Sequence, residues 1–330
     1  MTCFPFILSK LFLPLVAVLA LGPLLAQTPV ATRASGMTGS GVALFVPAGL
    51  DPAAMPPSLC LLMAPHITSP LPAGWTLQPS FSQDGDSSTA NVKVGPGVDL
   101  YGMGEVTGPL LRNGTSVKLW NTDNYAYHFD GGRRLYQSHP WVLGLRKDGS
   151  AFGLLFDSSW KASLTCTEDV TFTCQGPAFP VLIIDRPTPQ AVLATLAGLT
   201  GHMELPPLWS LGYQQSRYSY EPEARVREIA ATFRAHKLPC DVIWMDIDYM
   251  DHYRIFTFDA VKFPDPAKLN ADLHAQGFHS VWMIDPGVKV DKDYAVYQSG
   301  TRARAWIKAP DGSEFNGDVW PGACAIREFL

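Results

Sequence analysis

Three aspartates crowd the end of an apolar segment, at Asp246, Asp248 and Asp251. The segment reads C-D-V-I-W-M-D-I-D-Y-M-D over residues 240–251. Because an ionised carboxylate is costly to bury without a partner, acids at the end of a buried segment indicate a polar pocket. Carboxylates in such a pocket can accept charge-assisted hydrogen bonds from hydroxyl groups. The alternative, on these residues alone, is structural: the acids cap the next turn or form ion pairs.

The element that carries these acids is predicted to be a buried strand over residues 240–248. Its apolar run is nearly continuous, which is typical of a parallel strand covered on both faces. Side chains alternate along a strand, so Trp244, Asp246 and Asp248 would share one face. In α/β barrels and open α/β sheets, ligands bind beyond the carboxyl ends of the strands.

The composition indicates a globular protein of about two domains. The chain has 330 residues, of which 47% are hydrophobic and 17% charged, with a net charge of -5. No run of Lys and Arg occurs, which argues against nucleic acid and anionic membranes as main partners. No zinc or calcium site is predicted, because no Cys/His spacing suggests zinc and the aspartate run lacks the fixed Gly and terminal Glu of a calcium loop.

Two of the six cysteines, Cys166 and Cys174, flank a segment that could form a hairpin. An oxidising compartment would permit a disulfide between them, and two free buried thiols are the alternative.

The N-terminus has the pattern of a secretory signal peptide over residues 1–26. Lys10 precedes an apolar run that is short and interrupted by proline, and a small residue, Ala26, closes it. This pattern predicts a secreted or periplasmic protein without a membrane association beyond the signal, a retained N-terminal anchor being the alternative. Residues 27–40, rich in Thr, Ala, Ser and Gly, are predicted to be a linker.

Residues 41–207 are predicted to form a β-sandwich. Short apolar runs alternate with Gly, Pro, Asp and Ser clusters, and R-K-D-G-S joins two of the runs as a hairpin would. The predicted strands cover residues 41–47, 58–64, 91–94, 141–145, 151–156 and 181–185. Residues 188–199 are predicted to be a helix with Pro189 near its start.

Residues 208–330 follow a different pattern, which begins after Leu205-Pro206-Pro207. Strands are predicted at residues 208–215, 240–248 and 280–286, with helices at residues 221–236 and 266–276 between them. A βαβαβ order predicts a parallel sheet. A complete eight-stranded barrel needs about 250 residues, so these residues would supply about three βα units of a (β/α)8 TIM barrel.

Eight sequence blocks, in order, resemble the α-glucosidase-type enzymes of glycoside hydrolase family 31. The blocks are Y-G-M-G-E at Tyr101–Glu105, L-W-N-T-D at Leu119–Asp123, L-Y-Q-S-H-P at Leu135–Pro140, L-G-Y-Q-Q-S-R-Y-S-Y at Leu211–Tyr220, D-V-I-W-M-D-I-D-Y-M-D at Asp241–Asp251, F-T-F-D at Phe256–Asp259, M-I-D-P at Met283–Pro286 and V-W-P-G at Val319–Gly322. The resemblance implies an N-terminal β-sandwich, a (β/α)8 barrel and retaining hydrolysis of terminal α-glycosidic bonds, without metal or organic cofactor. The implied partner is an α-linked oligosaccharide or glucoside.

The resemblance also implies roles for six residues in the subsite at the scissile bond. Asp246 would accept hydrogen bonds from sugar hydroxyls, Asp123 would reach the same subsite from a loop of the sandwich, and Asp285 would be a supporting acid. Tyr218, Met283 and Trp320 would supply the walls, although Tyr218 stands where the family usually has Trp. Turn formation is the alternative role for Asp123, and plain packing for Trp320.

The family's nucleophile lies in a W-x-D-M-N-E block, which does not occur in these 330 residues. The resemblance implies that the nucleophile and the acid/base Asp would lie beyond Leu330. No catalytic residue is therefore assigned, and the chain by itself is expected to lack glycosidase activity.

Two alternative functions stay open at this point. One is a carbohydrate-binding β-sandwich protein without catalysis, and the other is an unrelated α/β binding or assembly domain. The identity of the sugar and the oligomeric state are not predicted.

Overall fold

The computed structural model describes residues 27–50, 58 and 60–327. The predicted signal peptide of residues 1–26 therefore lies outside the described residues. Leu330, beyond which the catalytic carboxylates are expected, lies outside them as well. The chain divides into two compact units, with the boundary between Met203 and Glu204, four residues before the predicted boundary.

The first unit contains two six-stranded sheets of antiparallel strands. Its twelve strands are β1 (Thr28–Val30), β2 (Thr32–Gly39), β3 (Val42–Pro47), β4 (Pro79–Asp84), β5 (Ser87–Lys93), β6 (Asp99–Gly104), β7 (Thr115–Leu119), β8 (Ser138–Leu145), β9 (Ala151–Phe156), β10 (Ala162–Cys166), β11 (Asp169–Cys174) and β12 (Val181–Arg186). The strand orders are β1-β4-β5-β11-β10-β7 and β2-β3-β12-β9-β8-β6. The predicted β-sandwich is therefore present.

The inner faces of the two sheets share one apolar core. Phe156 of one sheet stacks on Phe172 of the other, with ring centroids 4.9 Å apart. In β11 the buried residues alternate with half-exposed ones, as expected for a sheet with one solvated face. In β3 and β9 every residue is buried, because helix α1 (Pro189–Thr200) and its neighbours cover the outer face of their sheet.

Helix α1 begins where the sequence predicts it. Thr188 is its N-cap and accepts a hydrogen bond from the backbone N–H of Ala191 at 3.2 Å, and Pro189 occupies the first turn.

Two predictions for the first unit are wrong. Residues 28–30 and 32–39 are strands rather than a linker, and each strand lies at the edge of a sheet, where exposed positions carry little apolar signal. Residues 60–64 do not form a strand. The backbone N–H of Leu62 instead donates to the carbonyl of Leu199 at 2.9 Å, which attaches this segment to α1.

The predicted hairpin between Cys166 and Cys174 is confirmed as β10 and β11, and both thiols are free. Cys174 pairs with Ala162, four residues from Cys166 along the partner strand. That offset corresponds to about 13 Å at the rise of a β-strand, whereas a disulfide needs Cα atoms about 6 Å apart. Burial raises the pKa of the Cys166 thiol to about 12.

The second unit begins with a parallel three-stranded sheet. Its elements are a 3₁₀ turn (Leu208–Leu211), β13 (Gln214–Gln215), α2 (Glu223–Ala235), β14 (Val242–Met245), α3 (Pro266–Ala275) and β15 (His279–Trp282). The strand order is β13-β14-β15, and both pairings are parallel, so the predicted βαβαβ order is confirmed. The apolar positions of α2 face the core as predicted, with Val226 and Ala230 fully buried.

All three strands are shorter than predicted. The first half of residues 208–215 forms the 3₁₀ turn, and residues beyond Met245 and Trp282 leave the sheet. Strand β14 ends early because the side chain of Asp246 accepts a hydrogen bond from the backbone N–H of Ile247. This bond caps a 3₁₀ turn, Ile247–Tyr249.

The rest of the second unit forms a small antiparallel sheet that the sequence pattern did not predict. Its elements are β16 (Gly287–Lys289), α4 (Ala295–Ala303), β17 (Asn316–Val319) and β18 (Gly322–Ile326), with strand order β16-β18-β17. Val288 and Ala325 join the same apolar core as β14, so this sheet packs with the parallel one. In the described part of the chain, no helix is long and apolar enough to cross a membrane.

Candidate functional site

Asp246 lies at the carboxyl end of β14, the middle strand of the parallel sheet. It is half-buried, and its Oδ1 accepts a hydrogen bond from the backbone N–H of Ile247 at 2.7 Å. A carboxylate offers about four acceptor positions, so this cap leaves acceptor capacity on the side chain. The capping role and the pocket role, which the sequence presented as alternatives, are compatible in one residue.

A cleft of about 320 Å³ opens at this end of the sheet. Its walls come from the segment after β13, from the end of β14 and from the segment after β15. The lining residues are Ser216, Arg217, Tyr218, Trp244, Met245, Asp246 and Met283. The structure thus brings together three of the six predicted site residues, Tyr218, Asp246 and Met283. Tyr218 is 64% exposed, which leaves its ring available as a wall.

Trp244 lines the same cleft, as its shared strand face with Asp246 indicates. Its indole N–H donates to the side-chain oxygen of Gln214 at 2.9 Å, which fixes the ring between β13 and β14. Sequence reasoning counted Trp244 only as part of the apolar run. It also missed Ser216 and Arg217, although both lie inside the L-G-Y-Q-Q-S-R-Y-S-Y block.

Asp285 is close enough to Asp246 for their charges to interact. Burial raises the pKa of the Asp285 carboxyl, and the negative charge of Asp246 raises it further. Asp285 follows β15 and does not lie within it. Its position therefore depends on the loop after β15 and not on the alternation of side chains along a strand. The hydroxyl of Tyr249 holds this loop by donating to the carbonyl of Met283 at 2.8 Å. Burial, and then the charge of Asp285, raise the pKa of Tyr249 to about 12, so this hydroxyl keeps its proton.

Asp248 and Asp251 have structural contacts, which is the alternative role that the sequence left open for the acids of this segment. Asp248 is buried and accepts a hydrogen bond from the hydroxyl of Tyr253 at 3.1 Å. Asp251 pairs with the guanidinium of Arg254 and lies beside the His252 ring.

Trp320 lies in the two-residue turn of the β17–β18 hairpin and is 70% exposed. The residues that line the cleft do not include it. Its role as a wall of the sugar site stays a prediction.

Asp123 lies in the first unit, in the segment after β7, and is exposed. Its Oδ1 accepts a hydrogen bond from the hydroxyl of Tyr136 at 2.8 Å, and this bond is the main cause that raises the pKa of Tyr136. Glu105 accepts the backbone N–H of Tyr136 at 3.1 Å. Residues of three sequence blocks therefore lie together here. Sequence reasoning did not assign Tyr136 and Glu105 to a site. The approach of Asp123 to the Asp246 cleft stays a prediction.

Within residues 27–50, 58 and 60–327, no group of three or more His, Cys, Asp or Glu side chains is placed to hold a metal ion.

Comparison with known proteins identifies the class of these two units. Residues 72–164 match a family model described as the glycosyl hydrolase 31 N-terminal galactose mutarotase-like domain. Residues 203–330 match a model described as the glycosyl hydrolases family 31 TIM-barrel domain. The chain belongs to glycoside hydrolase family 31.

The relatives of this chain in the family include several α-glucosidases. Alpha-glucosidase 2 of Bacillus thermoamyloliquefaciens is 46% identical over 233 residues, which are 70% of this chain and 30% of that protein. Human neutral alpha-glucosidase AB is 31% identical over 292 residues, covering 78% of this chain and 31% of that protein. The chain thus spans about a third of the length of these relatives.

Solved structures agree with this assignment. The family 31 α-glucosidase from Bacteroides thetaiotaomicron is 60% identical with a TM-score of 0.67, over 72% of this chain and 40% of that one. A family 31 dextranase from Flavobacterium johnsoniae shares the fold over 92% of this chain and 44% of that one, with a TM-score of 0.76 at 19% identity.

Proposed function

We propose that these two units carry the sugar-recognition part of a retaining α-glycosidase, an α-glucosidase, and that the cleft at Asp246 holds the terminal sugar of an α-linked oligosaccharide or glucoside. The observation that carries the proposal is the half-buried carboxylate of Asp246 at the end of β14, inside a cleft walled by Tyr218, Trp244 and Met283. The similarity to α-glucosidases supports the choice of sugar linkage.

The chemistry of the cleft suits a sugar ring. Asp246 can accept strong hydrogen bonds from vicinal hydroxyls. The raised pKa of Asp285 favours its protonated form, so near the pH of its titration it can act as donor as well as acceptor. The indole of Trp244 and the side chain of Met283 offer apolar surface to the C–H face of the ring.

In this proposal Asp246 and Asp285 bind the sugar and do not form the catalytic pair. Retaining hydrolysis uses two carboxyl groups about 5–5.5 Å apart, one as nucleophile and one as acid/base. The family's nucleophile block, W-x-D-M-N-E, does not occur in these 330 residues, and a position for both catalytic groups beyond Leu330 stays a prediction. The purified chain by itself should therefore not turn over a nitrophenyl α-glucoside.

The proposal also assigns the remaining predicted residues. Residues 208–330 would be the first three βα units of the barrel, and Asp123 and Trp320 would complete the subsite around the sugar.

The decisive experiment follows the Asp285 carboxyl carbon by NMR while maltose is added to the full chain. Binding in the cleft should shift this resonance saturably, because Asp285 lies beside Asp246. Asp246→Ala should abolish the shift, whereas Asp293→Ala, which removes an exposed acid before α4, should leave it intact. A wild-type spectrum that does not respond to maltose would refute the sugar site.

The second candidate function, a carbohydrate-binding protein without catalysis, makes a different prediction. Sugar would then bind the first unit while the Asp285 resonance stays unchanged. For the N-terminus we propose cleavage of residues 1–26 and a secreted or periplasmic location. N-terminal sequencing of protein expressed with its own leader tests this directly.

A further inference from the structure

A second cleft, of about 370 Å³, lies in the sandwich itself. It lies where β7 ends and β8 begins, beside the segment between β9 and β10. The residues of this cleft that matter here are Trp120, Asn121, Ser138, Ser158, Ser159 and Trp160. They differ from those of the Asp246 cleft, and all of them belong to the first unit.

Two indole rings in this cleft are accessible to a ligand. Trp120 is 49% exposed and Trp160 is 56% exposed, although burial of such side chains is favourable by the hydrophobic effect. Exposed aromatic rings beside convergent polar groups are typical of binding sites. The volume of the cleft lies in the range of small-molecule sites and suits one or two sugar rings.

The position of the Trp160 ring is fixed by its packing. A Cβ at Gly176 would lie 2.5 Å from Cγ of Trp160, so the ring packs directly on the glycine backbone. The carbonyl of Gly176 is held in turn by the buried hydroxyl of Ser88 at 2.9 Å. The ammonium of Lys161 lies over the Trp120 ring, 5.8 Å from its centroid, which contributes to fixing that ring.

The polar groups in the cleft are hydroxyls and an amide. Ser158 accepts a hydrogen bond from the backbone N–H of Trp160 at 3.4 Å, and its hydroxyl also interacts with the thiol of Cys174. Among the lining residues the ionisable group is the thiol of Cys60, whose pKa burial raises to about 11, so it is neutral at pH 7. Apart from the ammonium of Lys161 over the Trp120 ring, the donors and acceptors of the cleft are uncharged, which suits a neutral polyhydroxylated ring better than a lipid chain.

We propose that this cleft is a second carbohydrate-binding site, which holds a neutral pyranose unit of an oligosaccharide between Trp120 and Trp160. The indoles stack on the C–H faces of the ring, and Asn121 and the three serines bind its hydroxyls. Asp123, three residues after Trp120, turns its carboxylate to Tyr136 and is not one of the lining residues. The site does not depend on Asp246, so it does not rest on the function proposed above.

The experiment uses the full chain carrying Asp246→Ala, which removes the other proposed site. Maltotriose is added while the indole N–H resonances of Trp120 and Trp160 are followed by NMR. Both should shift saturably with one dissociation constant. Trp160→Ala should weaken binding about tenfold, in line with the loss of one stacking contact. Gly176→Ala, which displaces the ring without removing it, should weaken binding in the same direction.

Two further variants keep the result interpretable. Trp160→Phe retains an aromatic face and should restore most of the affinity, and Phe129→Ala removes an exposed aromatic ring outside the cleft and should change nothing. Asn121→Ala leaves the packing of both indole rings intact. It should weaken binding several-fold even if Trp160→Ala fails to fold. The proposal is overturned if maltotriose does not shift the two indoles, or if Trp120→Ala and Asn121→Ala bind like the parent.

Discussion

The side chain of Asp246 has two roles. One of its oxygens caps the turn that ends β14, and the side chain still lines the cleft. The sequence predicted the pocket because acids follow a buried strand, and that reasoning needs only local pattern. It did not predict the Asp123–Tyr136–Glu105 arrangement, because those residues lie up to 31 positions apart and only the fold brings them together.

The interaction between Asp246 and Asp285 leads to a prediction about protonation. Asp246→Asn keeps the cap through its amide oxygen and removes the negative charge. The pKa of Asp285 should fall in this variant but stay above its usual value of 3.8, because burial is the larger cause of the shift. A carbon-detected titration of the Asp285 carboxyl measures both changes.

The same pKa shift determines a pH dependence of stability. Because folding raises the pKa of Asp285, the folded state holds the proton more tightly than the unfolded state. Its contribution to the free energy of unfolding should fall as pH rises from about 3.8 through the raised pKa, and this fall should be smaller in Asp246→Asn. Urea titrations across this range test the sign, with Asp293→Asn as the control. Equal pH profiles for parent and Asp246→Asn would contradict the interaction.

Elements with a strong apolar pattern were predicted well, and elements without one were not. Strand β9 and helices α1 and α2 appear within two residues of their predicted bounds, because buried runs and helical spacing are properties of the local sequence. Edge strands β1 and β2 escaped prediction because little of their surface is buried. Strand β14 was predicted too long, because the side chain of Asp246 at its end binds a backbone amide that a longer ladder would use.

Glycines in the β8–β9 hairpin and in α1 provide a matched test of packing. A Cβ at Gly153 would lie 1.9 Å from the Trp141 ring, which covers this glycine, whereas Gly198 in α1 has open space around it. Gly153→Ala should therefore lower the free energy of unfolding by about 1–3 kcal/mol through overpacking. Gly198→Ala should raise it by about 0.5–1 kcal/mol through helix propensity. Denaturant unfolding of both variants measures these changes in the free energy of unfolding. Equal changes in the two variants would contradict the packing of Trp141 on Gly153.

For the whole molecule, the division into a sandwich and an α/β unit can be predicted from the change of pattern at Leu205-Pro206-Pro207. The small sheet of β16, β17 and β18 cannot be predicted from that pattern. Its strands are three to five residues long and rich in Gly and polar residues, so their pairing depends on the core beneath them.

The segment between the two units should be the first site of proteolysis. Residues 201–207 belong to neither a helix nor a strand, and Met203 and Leu205 are more than 90% exposed. A glutamate-specific protease should cut after Glu204 before it cuts at Glu223 or Glu228 in α2. Mass spectrometry of the early fragments tests this order, and an initial cut inside α2 would contradict the assigned boundary.

The position of β15 at the margin of the parallel sheet has a consequence for handling the protein. In the part of the chain that the structure describes, β14 is the one neighbour of β15 in that sheet, so its far side presents unpaired backbone groups. Such a margin can template the addition of a strand from another molecule. Light scattering should therefore show self-association that grows with protein concentration, and the protein should be most tractable when dilute.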